Sequence, residues 1–335
     1  MDGAGPATRR RRRVPVTLIV LLVVLLLVAY PAALGLTAYT HLGRVNALPS
    51  GIADTPGRTY LVVGSDSRAG LSAAQRTTLH TGTAAGQRSD TILLLHVPAN
   101  GGPTVLISIP RDSYVAIPGH SKNKINAAFS FGGPQLLART VEGATGVQID
   151  DYVEIGFGGF ASVVDAVGGV TVCPTRAYDD PKAKLKIGKG CQPVDGTTAL
   201  AYARARYSDP RGDLGRVDRQ REVLAAIVKK ALSPVTLANP FRTFPLASSG
   251  AATLTVDDRT GPMAVTQFAL GVRDASSGGG LSLTVPVAGT ADRSGAGNVV
   301  LWDAAKAKIV FDALRTSDTT PIIAIAAAEK AALRP

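Results

Sequence analysis

The chain is poor in the residues that most often carry metal and nucleophilic chemistry. Its 335 residues contain only two cysteines, Cys173 and Cys191, and four histidines, His41, His80, His96 and His120. There is no Cys-x-x-Cys spacing and no histidine near either cysteine, which speaks against a zinc site. There is no Gly-x-Ser-x-Gly elbow and no triad-like setting for any histidine, which speaks against serine or cysteine hydrolase chemistry. An internal repeat, a helix-turn-helix pattern and a second long apolar run are also missing, so neither a repeat array nor a DNA-reading module is indicated. Charged residues make up 18% against 45% hydrophobic, a balance that excludes global disorder and allows a substantial core.

What is present begins with one apolar run, Val16 to Leu36, which holds no ionisable side chain except Tyr30 and follows Arg9 to Arg13. At ~1.5 Å per residue such a run can cross about 30 Å of hydrocarbon, and the preceding arginines keep the N-terminus in the cytoplasm. The reading is a single-pass anchor with everything after about residue 40 outside the cell. A cleaved signal peptide with a site near Ala32, Ala33 or Ala38 gives the same topology. The arginine cluster offset by Asp2 supplies +4 of the net charge of +11, and the basic remainder suits an anionic membrane, an anionic glycan or nucleic acid equally. With the domain outside, Cys173 and Cys191 meet an oxidising compartment and read as a disulfide worth about 3 kcal/mol, with a metal site or two free thiols as the alternatives.

Residues 1–15 form a basic tail, 16–37 the transmembrane helix and 38–57, with Pro49, Gly51, Pro56 and Gly57, a linker. Apolar runs at Thr59 to Val63, Asp90 to Val97 and Thr104 to Ile109 read as buried strands, with an Ala-, Thr- and Gly-rich excursion from Leu71 to Gly86 between the first two. Helical spacing follows at Leu136 to Ala144, ended by Gly146. A strand at Asp150 to Ile155, a short helix at Phe160 to Val167 and a strand at Val170 to Val172 come next. Leu214, Val217, Leu224, Ile227, Val228 and Ala231 mark one long amphipathic helix from Asp213 to Leu232, with Arg216 and Gln220 at the border of its apolar stripe. Asn239-Pro240 opens a less ordered stretch. A helix near Pro262 to Val272, a strand at Leu281 to Val285, a Gly-rich loop, a helix at Asp303 to Leu314 and a frayed helix from Ile322 to Leu333 complete the chain. The alternation predicts an α/β fold, an α-β-α sandwich with a mixed central sheet over 58–318, followed by a tail at 319–335.

The residues with chemical potential fall in short blocks. Asp66 follows Gly64-Ser65 at one strand end and Asp90 opens the next strand, a position from which two carboxylates can hold Mg²⁺. Arg68 and Arg88 flank them. Arg111 ends a third strand after Pro110. Arg204 and Arg206, two apart, share a face if their segment is extended. Guanidinium groups fork to phosphate oxygens, and together with Lys124, Arg216, Arg219 and Gln220 these arginines suit a diphosphate. At each position taken singly the alternative is local: a capped turn for either aspartate, a solvated charge for each arginine.

These blocks resemble the LytR-CpsA-Psr family of bacterial cell-envelope proteins. They stand here as Leu61-Val62-Val63-Gly64-Ser65-Asp66-Ser67-Arg68, Arg88-Ser89-Asp90-Thr91, Ser108-Ile109-Pro110-Arg111-Asp112, Lys124-Ile125-Asn126-Ala127-Ala128 and Ala201-Tyr202-Ala203-Arg204-Ala205-Arg206 through Arg216-Val217-Asp218-Arg219-Gln220. The resemblance implies an enzyme that moves a glycopolymer phosphate from a polyprenyl diphosphate carrier to the C6 hydroxyl of muramic acid in peptidoglycan. Diphosphate hydrolysis would be a side activity. The polymer is left open among arabinogalactan, a teichoic acid-like chain and a capsule. It further implies Mg²⁺, replaceable by Mn²⁺, on Asp66 and Asp90, catalytic roles for Arg111, Arg204 and Arg206, and diphosphate binding by Arg68, Arg88, Lys124, Arg216, Arg219 and Gln220. Asp66, Asp90 and Asp213 are the candidates for a general base. The cysteine pair resembles actinobacterial members. Expected partners are the lipid-linked donor, peptidoglycan and the membrane, with no nucleic acid. The competing expectation is a scaffold that holds lipid or wall glycan without catalysis.

Overall fold

The computed structural model describes residues 16–49, 52–65, 89–206, 208–209, 213–231 and 233–332. The Leu71 to Gly86 excursion, Asp66, Arg68 and Arg88 lie outside them. The apolar run forms α1, Val16–His41. Three of the expected strands are β2 (Arg58–Ser65), β3 (Ser89–Val97) and β4 (Val105–Ile109), antiparallel neighbours that follow a short β1 (Gly43–Val45). A two-residue ladder, β5 (Tyr114–Val115) and β6 (Asn123–Lys124), leads into α2 (Ile125–Thr145). Gly133 at φ 65° breaks α2 just before Pro134, and Gly146 at φ 68° caps it, its N–H donating to the Glu142 carbonyl at 2.7 Å.

Next come β7 (Asp151–Gly156), α3 (Phe157–Ala166) and four short strands: β8 (Val170–Val172), β9 (Tyr178–Asp180), β10 (Leu185–Ile187) and β11 (Gln192–Val194). Then follow α4 (Gly196–Arg204), α5 (Asp213–Ala231), α6 (Pro234–Leu237), α7 (Pro240–Ala251), β12 (Leu254–Asp257) and α8 (Pro262–Ser277). The chain continues through β13 (Leu281–Thr284), the hairpin β14 (Val287–Arg293) and β15 (Gly297–Trp302), α9 (Ala304–Thr316) and α10 (Thr320–Ala332).

Seven strands form one mixed sheet in the order β1-β12-β7-β2-β3-β4-β13, in which β2 with β7, β4 with β13 and β1 with β12 run parallel. Alternation along β2 sends Leu61 and Val63 to one face and Tyr60 and Val62 to the other. The first face packs on α2, α9 and α10 through Leu137, Val141, Phe311, Leu314 and Ile322. The second packs on α8 and the end of α1 through Ala264, Val272 and Leu42. A third cluster, Val164, Val172, Tyr178, Leu185, Tyr202 and Val223, joins α3, α4 and α5 to the strands between the cysteines. The α-β-α sandwich with a mixed sheet is therefore present.

Four local expectations are corrected. The 38–57 stretch read as a linker holds edge strand β1 and buries Ala47 and Leu48 under Asp257, whose Oδ2 accepts both their N–H groups at 2.9 and 3.0 Å. The stretch after Asn239 is ordered as α7 and β12, because Pro240 starts the helix and Asn239 caps it. The Gly-rich loop is the β14–β15 hairpin. The helix expected from Ile322 is present as α10, but it is no frayed tail: Ile322 is fully buried in the core. As for the anchor, among the described residues no helix is long and apolar enough to cross a membrane, and within α1 the side chains of residues 16, 18–24 and 26–27 are not among those described.

His96, fully buried on β3, ties the sheet to α9: its Nδ1 lies 2.9 Å from Thr59 Oγ1 and its Nε2 lies 3.2 Å from Oγ of Ser317, the left-handed cap of α9. Burial lowers its pKa to about 4, so the folded protein holds it neutral while the unfolded chain protonates near the usual value of ~6.5. Its stabilisation is complete above that value and is lost as pH falls from there toward 4. Urea midpoints measured across this window are expected to lose on the order of 3 kcal/mol of stability from this residue, and His96→Gln is expected to flatten that part of the slope.

Candidate active site

A cavity of about 320 Å³ opens on the second face of the sheet. Its floor is apolar, made by Val62, Leu93, Ile155, Phe160, Leu200 and Leu224. Its rim is cationic, made by Arg111, Lys182, Arg204, Arg206, Arg216 and Arg221, with Gln220 among them. Asp180 is the one carboxylate among the described lining residues. A space with an oily floor and a crown of guanidinium groups suits an amphiphile with an anionic head.

Each cation is set by local structure. Arg111 follows β4 and Pro110, in a turn closed by the Ser113 N–H donating to the Pro110 carbonyl at 2.9 Å. Asp112 lies 3.6 Å from Arg111 Nε and 2.9 Å from Lys124 Nζ, so one carboxylate gathers both cations, although Lys124 itself is not in the cavity wall. Helix α4 starts at Asp195, which accepts the Thr198 N–H at 2.7 Å, and stops at Arg204 because Ala205 adopts φ −55°, ψ 135°. Arg204 and Arg206 therefore flank one extended residue and both reach the cavity, as their two-residue spacing suggests.

On α5, Arg216, Gln220, Arg221 and Leu224 face the cavity, an arc of about 140° at 3.6 residues per turn. Arg219 and Glu222 fall on the other arc and hold the scaffold. Arg219 is 2% exposed, pairs with buried Asp209, donates from Nε to the Tyr202 carbonyl at 3.1 Å and from Nη2 to the Ala205 carbonyl. Its placement corrects the reading of Arg219 as a diphosphate ligand: its donors hold the chain on either side of Arg204. The close approach of Asp209 requires glycine at 215, where a Cβ would collide with the carboxylate. Glu222 accepts the Cys173 N–H at 2.6 Å and the Tyr202 hydroxyl at 2.8 Å, and burial followed by that carboxylate pushes the Tyr202 pKa up.

The disulfide between Cys173 and Cys191 is formed. It closes the loop that carries β9 and β10, and this hairpin brings Asp180, Lys182 and Ala183 to the cavity, none of which the motif spacing points to. Asp180 accepts the Lys182 and Ala183 N–H groups at 3.1 Å each and the Arg206 N–H at 2.8 Å, so the disulfide loop also fixes Arg206. Arg221 is a further lining residue outside the motif reading. Its Nη2 donates to Ser108 Oγ at 3.0 Å and to the Leu283 carbonyl at 2.6 Å, bridging β4 and β13.

The side chains of Asp66, Asp90, Arg68 and Arg88 lie outside the described residues, as does that of Asp213. Among the described residues no three metal-ligating side chains cluster, and Asp180 is committed to backbone amides. Gly64 and Thr91, on the described ends of β2 and β3, both line the cavity and face one another across the two strands.

Comparison with known proteins follows the same residues. A crystal structure of Bacillus subtilis TagV superposes with a TM-score of 0.61 at 26% identity, over 78% of this chain and 97% of that one. The Corynebacterium glutamicum protein named probable cell wall biosynthesis protein LcpB is 50% identical over 282 residues, 84% of this chain and 66% of that protein. The Enterococcus faecalis polyisoprenyl-teichoic acid–peptidoglycan teichoic acid transferase TagU is 42% identical over 153 residues, 45% of this chain and 50% of that protein. The chain thus spans roughly half to two thirds of the curated relatives it matches. The sequence model of the LytR_cpsA_psr family matches residues 43–291, which include every cation of the cavity, and the chain belongs to that family.

Proposed function

We propose that the chain transfers a glycopolymer phosphate from a polyprenyl diphosphate carrier to the C6 hydroxyl of muramic acid in peptidoglycan, at the outer face of a membrane in which α1 is the anchor. The observation that carries this reading is the cavity itself, whose apolar floor and crown of guanidinium groups match the two ends of a lipid diphosphate. Names of relatives that refer to cell wall biosynthesis and teichoic acid transfer to peptidoglycan support it. The polymer is an arabinogalactan, a teichoic acid-like chain or a capsule.

In the proposed reaction the acceptor hydroxyl oxygen attacks the sugar-side phosphorus in line. A new P–O bond forms, the bond to the bridging oxygen breaks, and polyprenyl phosphate leaves while the hydroxyl proton passes to a base or to water. Arg111, Arg204, Arg206 and Arg216 neutralise charge that builds on the non-bridging oxygens, and Gln220 orients the diphosphate. Asp66 and Asp90 would hold Mg²⁺, which supplies charge neutralisation and a template for the diphosphate. Water in place of the sugar hydroxyl gives diphosphate hydrolysis as a side activity.

Three outcomes are expected. With the full chain, a polyprenyl diphosphate-linked oligosaccharide, nascent peptidoglycan and Mg²⁺, sugar becomes covalently attached to peptidoglycan. Arg111→Ala lowers that rate by about 10²-fold or more while the circular dichroism melt stays in place, because the lost group stabilises the transition state rather than the core. Donor binding with neither transfer nor cleavage by the wild type would favour the scaffold. Arg219→Ala behaves differently: it leaves Asp209 buried without its guanidinium partner, and urea unfolding is expected to show about 3–5 kcal/mol of lost stability.

A further inference from the structure

The corner between α6 and α7 exposes apolar side chains that nothing in the catalytic reading uses. Phe241 is 89% exposed and Val235 is 74% exposed, the highest values among the described large hydrophobic residues. The corner is well built. Pro234 and Pro240 each start their helix, Ser233 Oγ accepts the Thr236 N–H at 3.3 Å, and Asn239 Oδ1 accepts the Phe241 N–H at 3.0 Å. Phe241 is thus presented to the outside by a capped helix start.

Helix α1 lies against this corner. The Tyr30 ring stands edge-on to Phe244 of α7 with centroids 5.9 Å apart, and its hydroxyl bonds to Oγ1 of Thr243, which is 1% exposed. Further along, Ala38 and Tyr39 of α1 and Leu42 just after it join the core cluster under α8. From Tyr30 onward the helix therefore belongs to the domain. The described part before it, Val16 to Ala29, rises about 21 Å, and Tyr30 stands at its domain end. Tyrosine is a residue type that settles in the interfacial layer. The other side of α7 faces the active site: α7 packs on α3, and its Leu246 belongs with Phe160, an apolar wall residue of the cavity, to one cluster. Lys229 and Lys230 are exposed at the end of α5, immediately before the corner.

We propose that the α6–α7 corner is seated in the phospholipid bilayer beside α1, with Phe241 and Val235 below the headgroups and Lys229 at headgroup level. The cavity's apolar wall then stands one helix away from the lipid, and the donor enters with its chain still in the bilayer. The occupant is a bilayer surface because the apolar anchor helix is packed on the same element. The inference rests on the reading of α1 as an anchor and is independent of the transfer chemistry.

The test uses the full chain in vesicles of phosphatidylcholine and phosphatidylglycerol, with Phe241→Trp and Val235→Trp made singly. The native Trp302 lies in the layer on the opposite sheet face and serves as a constant background, and Ile309→Trp on α9 is the control. Substitution of an exposed ring leaves the core intact. Lipids brominated on the acyl chains are expected to quench about half of the added emission at positions 241 and 235 and none at 309. Vesicles that float with the chain attached while positions 241 and 235 stay unquenched would overturn the proposal and leave the anchor standing. A chain that does not float with the vesicles would overturn both. A blue shift at 241 without bromine quenching would assign the corner to a second copy of the chain and would equally overturn the proposal.

Discussion

The cations gathered on one small cavity repel one another, and much of the surrounding structure works against that repulsion. In the unfolded chain these charges are far apart and screened, whereas in the fold they share about 320 Å³ with a single described carboxylate in the wall. Such a cluster persists only if the backbone beneath each cation is over-determined. Arg219 holds the carbonyls on both sides of Arg204, Asp180 holds the Arg206 amide, and Asp112 draws Arg111 toward Lys124. Asp180 lines the cavity but accepts backbone N–H groups there, and buried Asp209 pairs with Arg219 outside the cavity wall, so these acids fix position and leave the rim cationic for a diphosphate.

Much of this was legible in the sequence, and the parts that were not share a cause. Strands β2, β3 and β4 are unbroken apolar runs because both faces of the sheet are covered, so their composition alone marks them. Edge strand β1, Gly-Arg-Val, has no such run. It is held by the Arg44 guanidinium reaching the Asp257 and Thr260 carbonyls at 3.2 and 2.9 Å, a contact more than two hundred residues away in sequence. Arg216 and Arg219 are one residue type three positions apart on one helix, and only the phase of α5 relative to the sheet sends the first to the cavity and the second into the scaffold. The apolar periodicity puts Arg216 and Gln220 at the stripe border, and both line the cavity. No local pattern distinguishes Asp180 and Lys182 from the other charges of the disulfide loop. Their role comes from where the hairpin folds, and the cysteines show only that the loop is closed.

The disulfide consequently has more than a general stabilising part. Cys173 is anchored by Glu222, which is also the partner of Tyr202, and Tyr202 supplies a carbonyl to Arg219. The covalent loop, the helix that carries Arg216 and Gln220, and the segment that carries Arg204 and Arg206 are thus one hydrogen-bonded unit. Closing the loop restricts the unfolded ensemble, and it also keeps Asp180 within reach of the Arg206 amide in the folded one. Such a loop stays closed in an oxidising compartment, which is where the proposed function puts the domain.

Chemistry and topology then impose one further constraint. A cavity whose floor takes a lipid chain and whose rim takes a charged head needs its apolar end toward the bilayer and its cationic end toward water. Helix α7 meets the first requirement, with α1 on one side and α3 of the cavity wall on the other. The rim meets the second, because Lys182 lines the cavity and is exposed. Reversing that orientation would bury a crown of guanidinium groups in lipid at several kcal/mol each, whereas the proposed one keeps the cationic rim toward water and asks only Val235 and Phe241 to leave it. On the proposed function, the electrostatic asymmetry that suits an anionic headgroup therefore also sets how the domain would lie on the membrane.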